Sequence, residues 1–272
     1  MKKMFALMMS LLMVVACFTA CKTEDPAVTE PDQVEKKTIV VGYTLYEPMN
    51  YKDENGELIG FDTELAEAVF KNLGYEVAFQ LIDWNARYTD LNAGTIDCVW
   101  NGFTANSSDS DGVARSEKVD FSYNYMENRQ VVVVKADSGI ASAADLNGKV
   151  GGVESASAGE SYAAGFEGAN IKGFDYQTTA LLEVLAGSVD FAVLDAQLAK
   201  SYCGKGDYEN LVIVEDLSSD VEYYAIGFEK GSELTALVNE QLEVLAADGT
   251  IAALAEKYGV ANTAITDFSD QK

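Results

Sequence analysis

The sequence predicts an α/β protein made of two similar units, each a sheet covered by helices. From Thr38 onward, short strands rich in β-branched residues alternate with segments of helical periodicity. Such alternation is typical of parallel strands with helices on their faces. The strand-helix order starts again after the strand "QVVVVKAD", which indicates a second unit. Because open α/β sheets bind ligands beyond the carboxyl ends of their strands, two facing units predict a site in the cleft between them.

The first unit consists of strands alternating with two helices. In the helix "FDTELAEAVFKNLG", Asp62 is the expected cap, Leu65, Val69 and Leu73 repeat at helical spacing, and Gly74 ends the pattern. The second predicted helix is "WNARYTDLNAG". The predicted strands are "TIVVGY", "YEVAFQLI", "IDCVW" and "QVVVVKAD".

The second unit follows the same order without a residue-level repeat. Its predicted strands are "KVGGVE", "IKGFDY", "VDFAVLD", "ENLVIV" and "EYYAIGFE". Its predicted helices, followed by two C-terminal ones, are "ASAADLNG", "SAGESYAAGF", "TTALLEVLAG", "AQLAKSY", "SELTALVNEQLEVLAADG" and "TIAALAEKYG".

Composition and charge restrict the function. The 272-residue chain is 48% hydrophobic and 23% charged, an ordinary globular composition, and its formal net charge is −25. A surface this acidic repels nucleic acid and anionic membranes, so we expect no nucleic-acid partner. The chain has no histidine, which excludes His-based triads, His metal sites and His proton shuttles. We expect no metal and no cofactor.

Residues 1–20 have the layout of a lipoprotein signal peptide. Two lysines precede an apolar run that ends at Ala20 and is slightly short for a membrane span. "FTAC" ends at Cys21 and "VVAC" at Cys17, and both resemble the bacterial lipobox, whose cysteine is lipidated and becomes the mature N-terminus. We favour Cys21, because the apolar run continues up to it. Cys17 fits the lipobox residues slightly better and stays an alternative, as does an ordinary cleaved signal or an anchor helix.

Residues 21–37 contain two of the three prolines and few large apolar residues, which predicts a flexible tether. The folded part would then hang from a lipid on the outer face of the cytoplasmic membrane, at the cell surface or in the periplasm. Cys98 and Cys203 remain in the folded part. An exported chain could pair them, but their apolar or helical contexts favour two buried thiols.

Six segments are informative together. They are "YEPMNYKDENGELIGFDTELAEAV", "DWNARYTDLNAGTIDCVWNGFT", "KVDFSYNYMENRQVVVV", "DLNGKVGGVESASAGESY", "LLEVLAGSVDFAVLDAQLA" and "ADGTIAALAEKYG". In this order they resemble the bacterial extracellular solute-binding proteins of the polar amino acid type (family 3), the receptors of ABC importers. The resemblance covers about residues 38–260.

The resemblance implies a two-lobe, periplasmic-binding-protein-like fold of type II, with the lobes joined by two hinge strands. Lobe 1 would comprise residues 38–127 and 225–268, including the returning C-terminal helices, and lobe 2 residues 128–224. The implied function is capture of an amino acid by lobe closure and delivery to an ABC transporter permease. The implied protein is a monomeric lipoprotein and not an enzyme.

An amino acid ligand needs a cation for its carboxylate and an anion for its ammonium group, because unpaired buried charges are costly. Arginine suits a carboxylate, since its guanidinium offers two donors in a fixed fork. The resemblance assigns the carboxylate-binding arginine to Arg115, before "SEKVDFS", and the ammonium-binding carboxylate to Asp195, at the end of "VDFAVLD". Arg115 could instead be a surface residue paired with Asp109 or Asp111, and Asp195 also suits a helix N-cap.

Four further positions match the family's first lobe. Tyr46 and Trp84 would sandwich the aliphatic part of the substrate, although one of them could instead pack in the core. Gly102 and Thr104 match the strand end that binds the carboxylate through a backbone N–H and a hydroxyl group.

The segment "GVESASAG" matches a helix start whose N–H groups face the carboxylate. Ser157 stands there with Ala158, where the family often has two threonines, so one hydroxyl group is missing. Asn101 and Glu154 would touch the substrate side chain. Glu154 favours a cationic or hydrogen-bonding side chain, unless it is a solvated carboxylate at the rim.

The loop "ANSSDSDGVA" (105–114) is longer than the family pattern and brings Asp109 and Asp111 close in sequence to Arg115. Two interpretations are open. We favour a loop that bulges into solvent and leaves Arg115 free. Alternatively, an aspartate occupies the arginine until the ligand displaces it.

Other functions remain as alternatives. Some relatives of the fold are dehydratases of cyclic acids, for which Glu154 would have to be the acid or base. A sensory module would need a separate receptor, and metal transport is disfavoured by the missing histidine. The sequence does not predict which amino acid is bound.

Overall fold

The computed structural model describes residues 37–272, so the predicted signal peptide, Cys17, Cys21 and nearly all of the predicted tether lie outside the described residues. The strands are β1 (Thr38–Tyr43), β2 (Tyr51–Lys52), β3 (Leu58–Ile59), β4 (Glu76–Leu81), β5 (Cys98–Val99), β6 (Asp120–Phe121), β7 (Met126–Asn128), β8 (Gln130–Lys135), β9 (Val150–Glu154), β10 (Asn170–Phe174), β11 (Phe191–Asp195), β12 (Leu211–Ser218), β13 (Glu222–Tyr224) and β14 (Gly227–Phe228). The helices are α1 (Phe61–Asn72), α2 (Arg87–Ala93), α3 (Arg115–Lys118), α4 (Ala158–Ala163), α5 (Gln177–Ala186), α6 (Ala196–Tyr202), α7 (Leu234–Ala247) and α8 (Thr250–Lys257). Short 3-10 helices cover Trp84–Ala86, Ala143–Leu146, Gly206–Tyr208 and Ser269–Gln271.

Two five-stranded sheets organise these elements. The first has the strand order β4-β1-β5-β14-β6 and the second β10-β9-β11-β8-β12. As the βαβ pattern predicts, β1 runs parallel to β4 and β5, and β9 runs parallel to β10 and β11. Each sheet is nevertheless mixed, because β14 and β8 run antiparallel to their neighbours. Both strands enter their sheets directly from the segments that link the two sheets, and not through a crossover helix.

The chain passes between the two sheets along β7 and β13. These strands pair antiparallel, with Glu222 opposite Asn128 and Tyr224 opposite Met126. They coincide with the two crossings expected for a hinge. The division of the chain into lobe 1 (residues 38–127 and 225–268) and lobe 2 (residues 128–224) stays a prediction.

The core of the first sheet is built largely by the amphipathic helix α1. It buries Leu65, Val69 and Phe70, and it contacts both α7 and α8, so the C-terminal helices return to the first sheet. The second sheet has its own apolar layer, to which Val132 and Phe191 contribute. Cys98 is buried and Cys203 is half-buried, and both thiols are free.

Several predicted elements differ from the observed ones, and the helix predicted over "ASAADLNG" is a 3-10 segment, Ala143–Leu146. Gly60, at φ 133°, is the N-cap of α1, and Asp62 lies inside the helix with a buried carboxyl group. The predicted strand "EYYAIGFE" is split into β13 and β14, which belong to different sheets. The helix predicted over "WNARYTDLNAG" begins as the 3-10 turn Trp84–Ala86.

Within residues 37–272, no helix has the length and hydropathy needed to cross a membrane. The same stretch holds no group of three or more Cys, Asp or Glu side chains suited to a metal ion.

Candidate functional site

A narrow cavity lies between the two sheets, with ≈ 20 Å³ of space for the centre of a water molecule. Its lining residues come from both of them and are Trp84, Asn101, Gly102, Thr104, Arg115, Glu154, Ser157, Ala158, Gln177 and Asp195. The structure therefore brings together every predicted site residue except Tyr46.

The cavity walls are formed at the carboxyl ends of strands. Asn101, Gly102 and Thr104 follow β5, while Glu154 and Asp195 are the last residues of β9 and β11. This is the edge at which α/β sheets form ligand sites, so the location agrees with the sequence-based expectation.

Arg115 is the first residue of α3 and is only 1% exposed. Its Nε donates to Asp109 Oδ1 at 3.0 Å, Nη1 to the Thr104 carbonyl at 3.2 Å and Nη2 to the Ala156 carbonyl at 3.3 Å. Burial and the charge of Arg87 lower the pKa of Arg115, and Asp109 counteracts them. A guanidinium carries five N–H groups, so one on Nη1 and one on Nη2 stay open for a ligand carboxylate.

Asp109 lies at the centre of a cluster of donors. Its Oδ1 also accepts from Arg87 Nη2 at 2.8 Å, and its Oδ2 accepts from Lys118 Nζ at 2.8 Å and the Tyr88 hydroxyl at 2.7 Å. Burial raises the pKa of Asp109, but these hydrogen bonds and the two arginine charges outweigh it and lower the pKa. The favoured interpretation of a loop that leaves Arg115 free is therefore wrong. Asp109 folds inward because two buried guanidinium groups need an anion.

Arg87 was not predicted as part of the site. It is 1% exposed, its Nη1 donates to the Trp84 carbonyl at 2.7 Å, and its guanidinium carbon lies 4.8 Å from the Trp84 ring centroid and 4.3 Å from that of Tyr88. Arg87 thus supports Trp84, which lines the cavity, and shares Asp109 with Arg115. The one sequence signal that could have pointed to Arg87 is that arginine is rare in the chain.

Asp195 is held by three amide side chains. Its Oδ1 accepts from Asn128 Nδ2 at 2.7 Å and Gln130 Nε2 at 2.6 Å, and its Oδ2 accepts from Gln177 Nε2 at 2.5 Å. The Asp195 N–H donates back to Gln177 Oε1 at 2.9 Å. Burial raises the pKa of Asp195, and these hydrogen bonds oppose the shift. The residue also begins α6, so its two predicted positions, strand end and helix N-cap, coincide.

Two more buried carboxyl groups lie near Asp195: Glu154 lines the cavity, and Glu222 lines a neighbouring pocket and shares amide donors with Asp195. Burial and then the charge of Asp195 raise the pKa of Glu154 to about 8 and that of Glu222 to about 7. Glu154 lines the cavity and is only 5% exposed, so it is not a solvated rim carboxylate, and its contact with a ligand side chain stays a prediction. Glu222 was missed, because its position in a hinge strand gives no sequence signal for the site.

The first-sheet residues use much of their hydrogen-bonding capacity within the protein. The Asn101 side chain exchanges hydrogen bonds with Thr44 and donates to Asn50 Oδ1, and the Gly102 N–H donates to Asp62 Oδ2 at 2.9 Å. Asn101 therefore shapes the cavity wall, because the donors of its amide group already bond to Thr44 and Asn50. The Gly102 N–H, expected to bind the ligand carboxylate, already has an internal partner.

Tyr46 lies behind the cavity and does not line it. Its hydroxyl group is 2.7 Å from that of Tyr224, and a Cβ at Gly102 would come within 2.7 Å of its ring. Trp84 faces the cavity and packs edge-on against Phe103, with ring centroids 5.1 Å apart. Only one of the two predicted aromatic residues thus faces the space where a ligand would lie.

Ser157 is the N-cap of α4, and its Oγ accepts from the Glu160 N–H at 3.0 Å. Ala156, just before it, has a positive φ of 58°, and its carbonyl accepts from Arg115. This turn belongs to the second sheet, so its contact with Arg115 spans the cavity. Gln177, at the start of α5, was missed because an amide in "YQTTA" resembles an ordinary helix start.

Comparison with known proteins gives a consistent set of matches. The family model "bacterial extracellular solute-binding proteins, family 3" matches residues 39–261. The arginine-binding extracellular protein ArtP of Bacillus subtilis is 32% identical over 254 residues, covering 91% of this chain and 96% of ArtP. The L-cystine-binding protein TcyA of the same organism is 30% identical and covers 83% of this chain and 82% of TcyA. The structure of the arginine-, lysine-, histidine-binding protein ArtJ from Geobacillus stearothermophilus superposes with a TM-score of 0.74 at 32% identity, covering 82% of this chain and 95% of ArtJ.

Proposed function

Because this chain belongs to the family-3 bacterial extracellular solute-binding proteins and captures an amino acid for an ABC transporter, we propose that its ligand is a cationic L-amino acid, arginine above all. The relatives support this choice: ArtP is named for arginine, and ArtJ for arginine, lysine and histidine. TcyA, named for L-cystine, makes cystine the main competitor.

The balance of buried charge carries the proposal. Glu154 and Asp195 line the cavity, and Glu222 shares amide donors with Asp195. Arg115 and Arg87 share the single carboxylate of Asp109, so these buried groups supply one positive charge against three carboxyl groups. A zwitterion with a neutral side chain brings one positive and one negative charge and leaves this excess of carboxyl groups uncompensated. A cationic side chain adds the missing positive charge, and a buried carboxylate without a cation is costly.

Each lining residue has a role in this arrangement. The two open N–H groups of Arg115 bind the α-carboxylate, and Asp195 accepts from the α-ammonium group. Trp84 packs on the aliphatic part, and Glu154 pairs with the cationic end of the side chain. The predicted lobes close around the ligand, with β7 and β13 as the hinge, and the chain releases the amino acid unchanged, because it acts as a binding protein and not as an enzyme.

A ligand panel tests the proposal. Calorimetric titration with L-arginine, L-lysine, L-histidine, L-glutamine and L-cystine should give the smallest Kd for L-arginine. Glu154→Gln should weaken L-arginine at least about tenfold, because a charge partner is lost, and should leave L-glutamine within a factor of about three. Tighter binding of L-glutamine or L-cystine than of L-arginine by the wild-type protein would overturn the proposed ligand class.

Two substitutions test the roles of the charged residues. Arg115→Ala and Asp195→Ala should each weaken L-arginine at least about tenfold, because each leaves a buried ligand charge unpaired. Arg129→Ala is the matched control, since Arg129 is exposed and donates to the Ser219 carbonyl. Unchanged affinity after Arg115→Ala or Asp195→Ala would remove that residue from the site.

We also propose that the chain is a monomeric lipoprotein, anchored through Cys21 on the outer face of the cytoplasmic membrane. This proposal rests on the sequence of residues 1–37. Mass spectrometry of the membrane-extracted protein should find a lipid on Cys21 after removal of residues 1–20. Cys21→Ser should release the protein into the medium or periplasm. Release by Cys17→Ser and not by Cys21→Ser would favour Cys17 as the anchor instead.

A further inference from the structure

We propose that Glu222 is a second ligand-site carboxyl group, that Glu222 and Asp195 hold one proton between them in the ligand-free protein, and that the ligand's ammonium group displaces this proton into solvent. The inference rests on the proposed function in one respect, namely that Asp195 receives the α-ammonium group. The proton held by the pair in the absence of ligand does not depend on it.

The geometry joins the two carboxyl groups through shared donors. Asn128 Nδ2 donates to Asp195 Oδ1 at 2.7 Å and to Glu222 Oε1 at 2.6 Å. Gln130 Nε2 donates to the same two oxygens at 2.6 Å and 2.7 Å. Two oxygens that share both of their donors are close neighbours, so Asp195 and Glu222 form one carboxyl pair.

The surroundings of this pair hold too little positive charge for two anions. Asp195 is 7% and Glu222 8% exposed, and Arg115 is the cation that lowers the pKa of Glu222. Arg115 itself is bound to Asp109, and Arg129, next to the pair in sequence, is exposed. The remaining ionisable groups that face the pair can only add negative charge, and they are Tyr46, Tyr224 and Glu154.

Like charges in one buried site raise the pKa of one member, and the pair then titrates as a unit. Burial and the charge of Asp195 raise the pKa of Glu222 to about 7, and burial raises that of Asp195. The four amide N–H groups occupy one oxygen of each carboxyl group, Asp195 Oδ1 and Glu222 Oε1. The second oxygen of Asp195, Oδ2, accepts from Gln177 Nε2 at 2.5 Å, so the proton belongs on the second oxygen of Glu222.

An ammonium group changes this balance. It brings one positive charge and three N–H donors, enough to bond both carboxylates at once. The pair then loses one proton to the buffer, its charge changes from −1 to −2, and the ammonium charge compensates the difference. Because Glu222 lies in hinge strand β13 and Asp195 at the end of β11, the same bonds tie the hinge to the second sheet.

The first experiment uses the ligand-free protein. A carboxyl group whose pKa is raised by folding stabilises the fold at low pH, and this contribution is lost as pH rises through the folded-state pKa. The Tm of the wild-type chain should therefore fall between pH 5 and about 7.5 by several degrees more than that of Glu222→Gln, whose amide keeps the acceptor oxygen. Asp195→Asn, the reciprocal variant, should remove the same component, and the control Arg129→Ala, at an exposed position, should keep it. Equal pH dependence in wild type and both pair variants would refute the shared proton.

The second experiment measures proton release on binding. Titration with L-arginine at pH 7 in buffers of different ionisation enthalpy should show protons released by the wild-type chain and by Arg129→Ala, and clearly fewer by Glu222→Gln. Below pH 7, the wild-type Kd should rise by up to about tenfold per pH unit, with a flatter dependence in Glu222→Gln. Identical release in wild type and Glu222→Gln would overturn displacement of the proton.

The two proposals fail in distinguishable ways. If L-arginine does not bind, the titration is run with the panel member that does. A chain that binds none of them overturns the proposed function and the displacement step together, whereas the shared proton is decided by the ligand-free comparison.

Discussion

Replacing Asp109 tests whether the acidic loop is part of the site's charge balance. Asp109 is bonded to Arg87 and Arg115, each about 1% exposed, and its own side chain is 9% exposed. Removing one partner of a buried ion pair costs about 3–5 kcal/mol, because the remaining charge stays buried without compensation. The lost hydrogen bond from the Tyr88 hydroxyl falls within that cost, and half-exposed Lys118 adds about 1 kcal/mol at most. We therefore expect Asp109→Ala to lower the free energy of unfolding by about 3–5 kcal/mol.

Urea unfolding followed by circular dichroism measures this change. Asp111→Asn is the matched control, because Asp111 is largely exposed and its ion pair with Lys118 should contribute about 1 kcal/mol or less. Since folding lowers the pKa of Asp109, its contribution is present above the ordinary aspartate pKa and is lost as pH falls through the lowered value. The wild-type protein should thus lose more stability in acid than Asp109→Ala. A loss below about 1 kcal/mol at pH 7 would refute the assignment of Asp109 as the anion of this cluster.

Three further substitutions probe two residues that line the cavity, Gly102 and Gln177, and Asp62, which accepts from the Gly102 N–H. Gly102 has φ +56°, and a Cβ there would lie 2.7 Å from the Tyr46 ring, so Gly102→Ala should cost about 2 kcal/mol in urea unfolding; a cost under about 0.5 kcal/mol would contradict this. Gln177→Ala removes two hydrogen bonds to Asp195 and should cost about 1–3 kcal/mol and weaken L-arginine in calorimetry, whereas unchanged affinity would make Gln177 purely structural. Burial raises the pKa of Asp62 to about 7, so its neutral form stabilises the fold below its unfolded pKa and this contribution is lost as pH rises through 7. Asp62→Asn should accordingly reduce the decrease in Tm between pH 5 and 8, and an unchanged decrease would show that Asp62 is ionised throughout.

The elements with strong periodicity were predictable. The strand in "VDFAVLD" is β11, and the helix in "TTALLEVLAG" is α5, because continuous apolar strands and amphipathic helices have clear local patterns. The antiparallel strands β8 and β14 were not predictable in direction, since strand direction is set by the route of the chain between the sheets. The cap of α1 was assigned to Asp62 by local rules, but tertiary contact with Gly102 and Tyr125 draws that carboxyl group inward.

The residues of the site likewise divide into those marked by local sequence motifs and those that only the fold brings together. The family motifs led to three residues that line the cavity, namely Glu154 and Asp195 at strand ends and Arg115 at the start of α3. Asp109 was misjudged, because its partner Arg87 is 22 positions away and only the fold brings the two together. Glu222 is likewise joined to Asp195 by amides from β7 and β8, a relation that no local pattern encodes.

The bond from Arg115 to the Ala156 carbonyl has a consequence for exchange kinetics. It joins the two sides of the cavity in the absence of a ligand, so it stabilises the narrow cleft before a ligand binds. A receptor whose binding-competent arrangement is already populated loses less affinity to reorganisation. The same bond must open before a solute can enter or escape, so tighter retention comes with a longer residence time and slower hand-over to the permease.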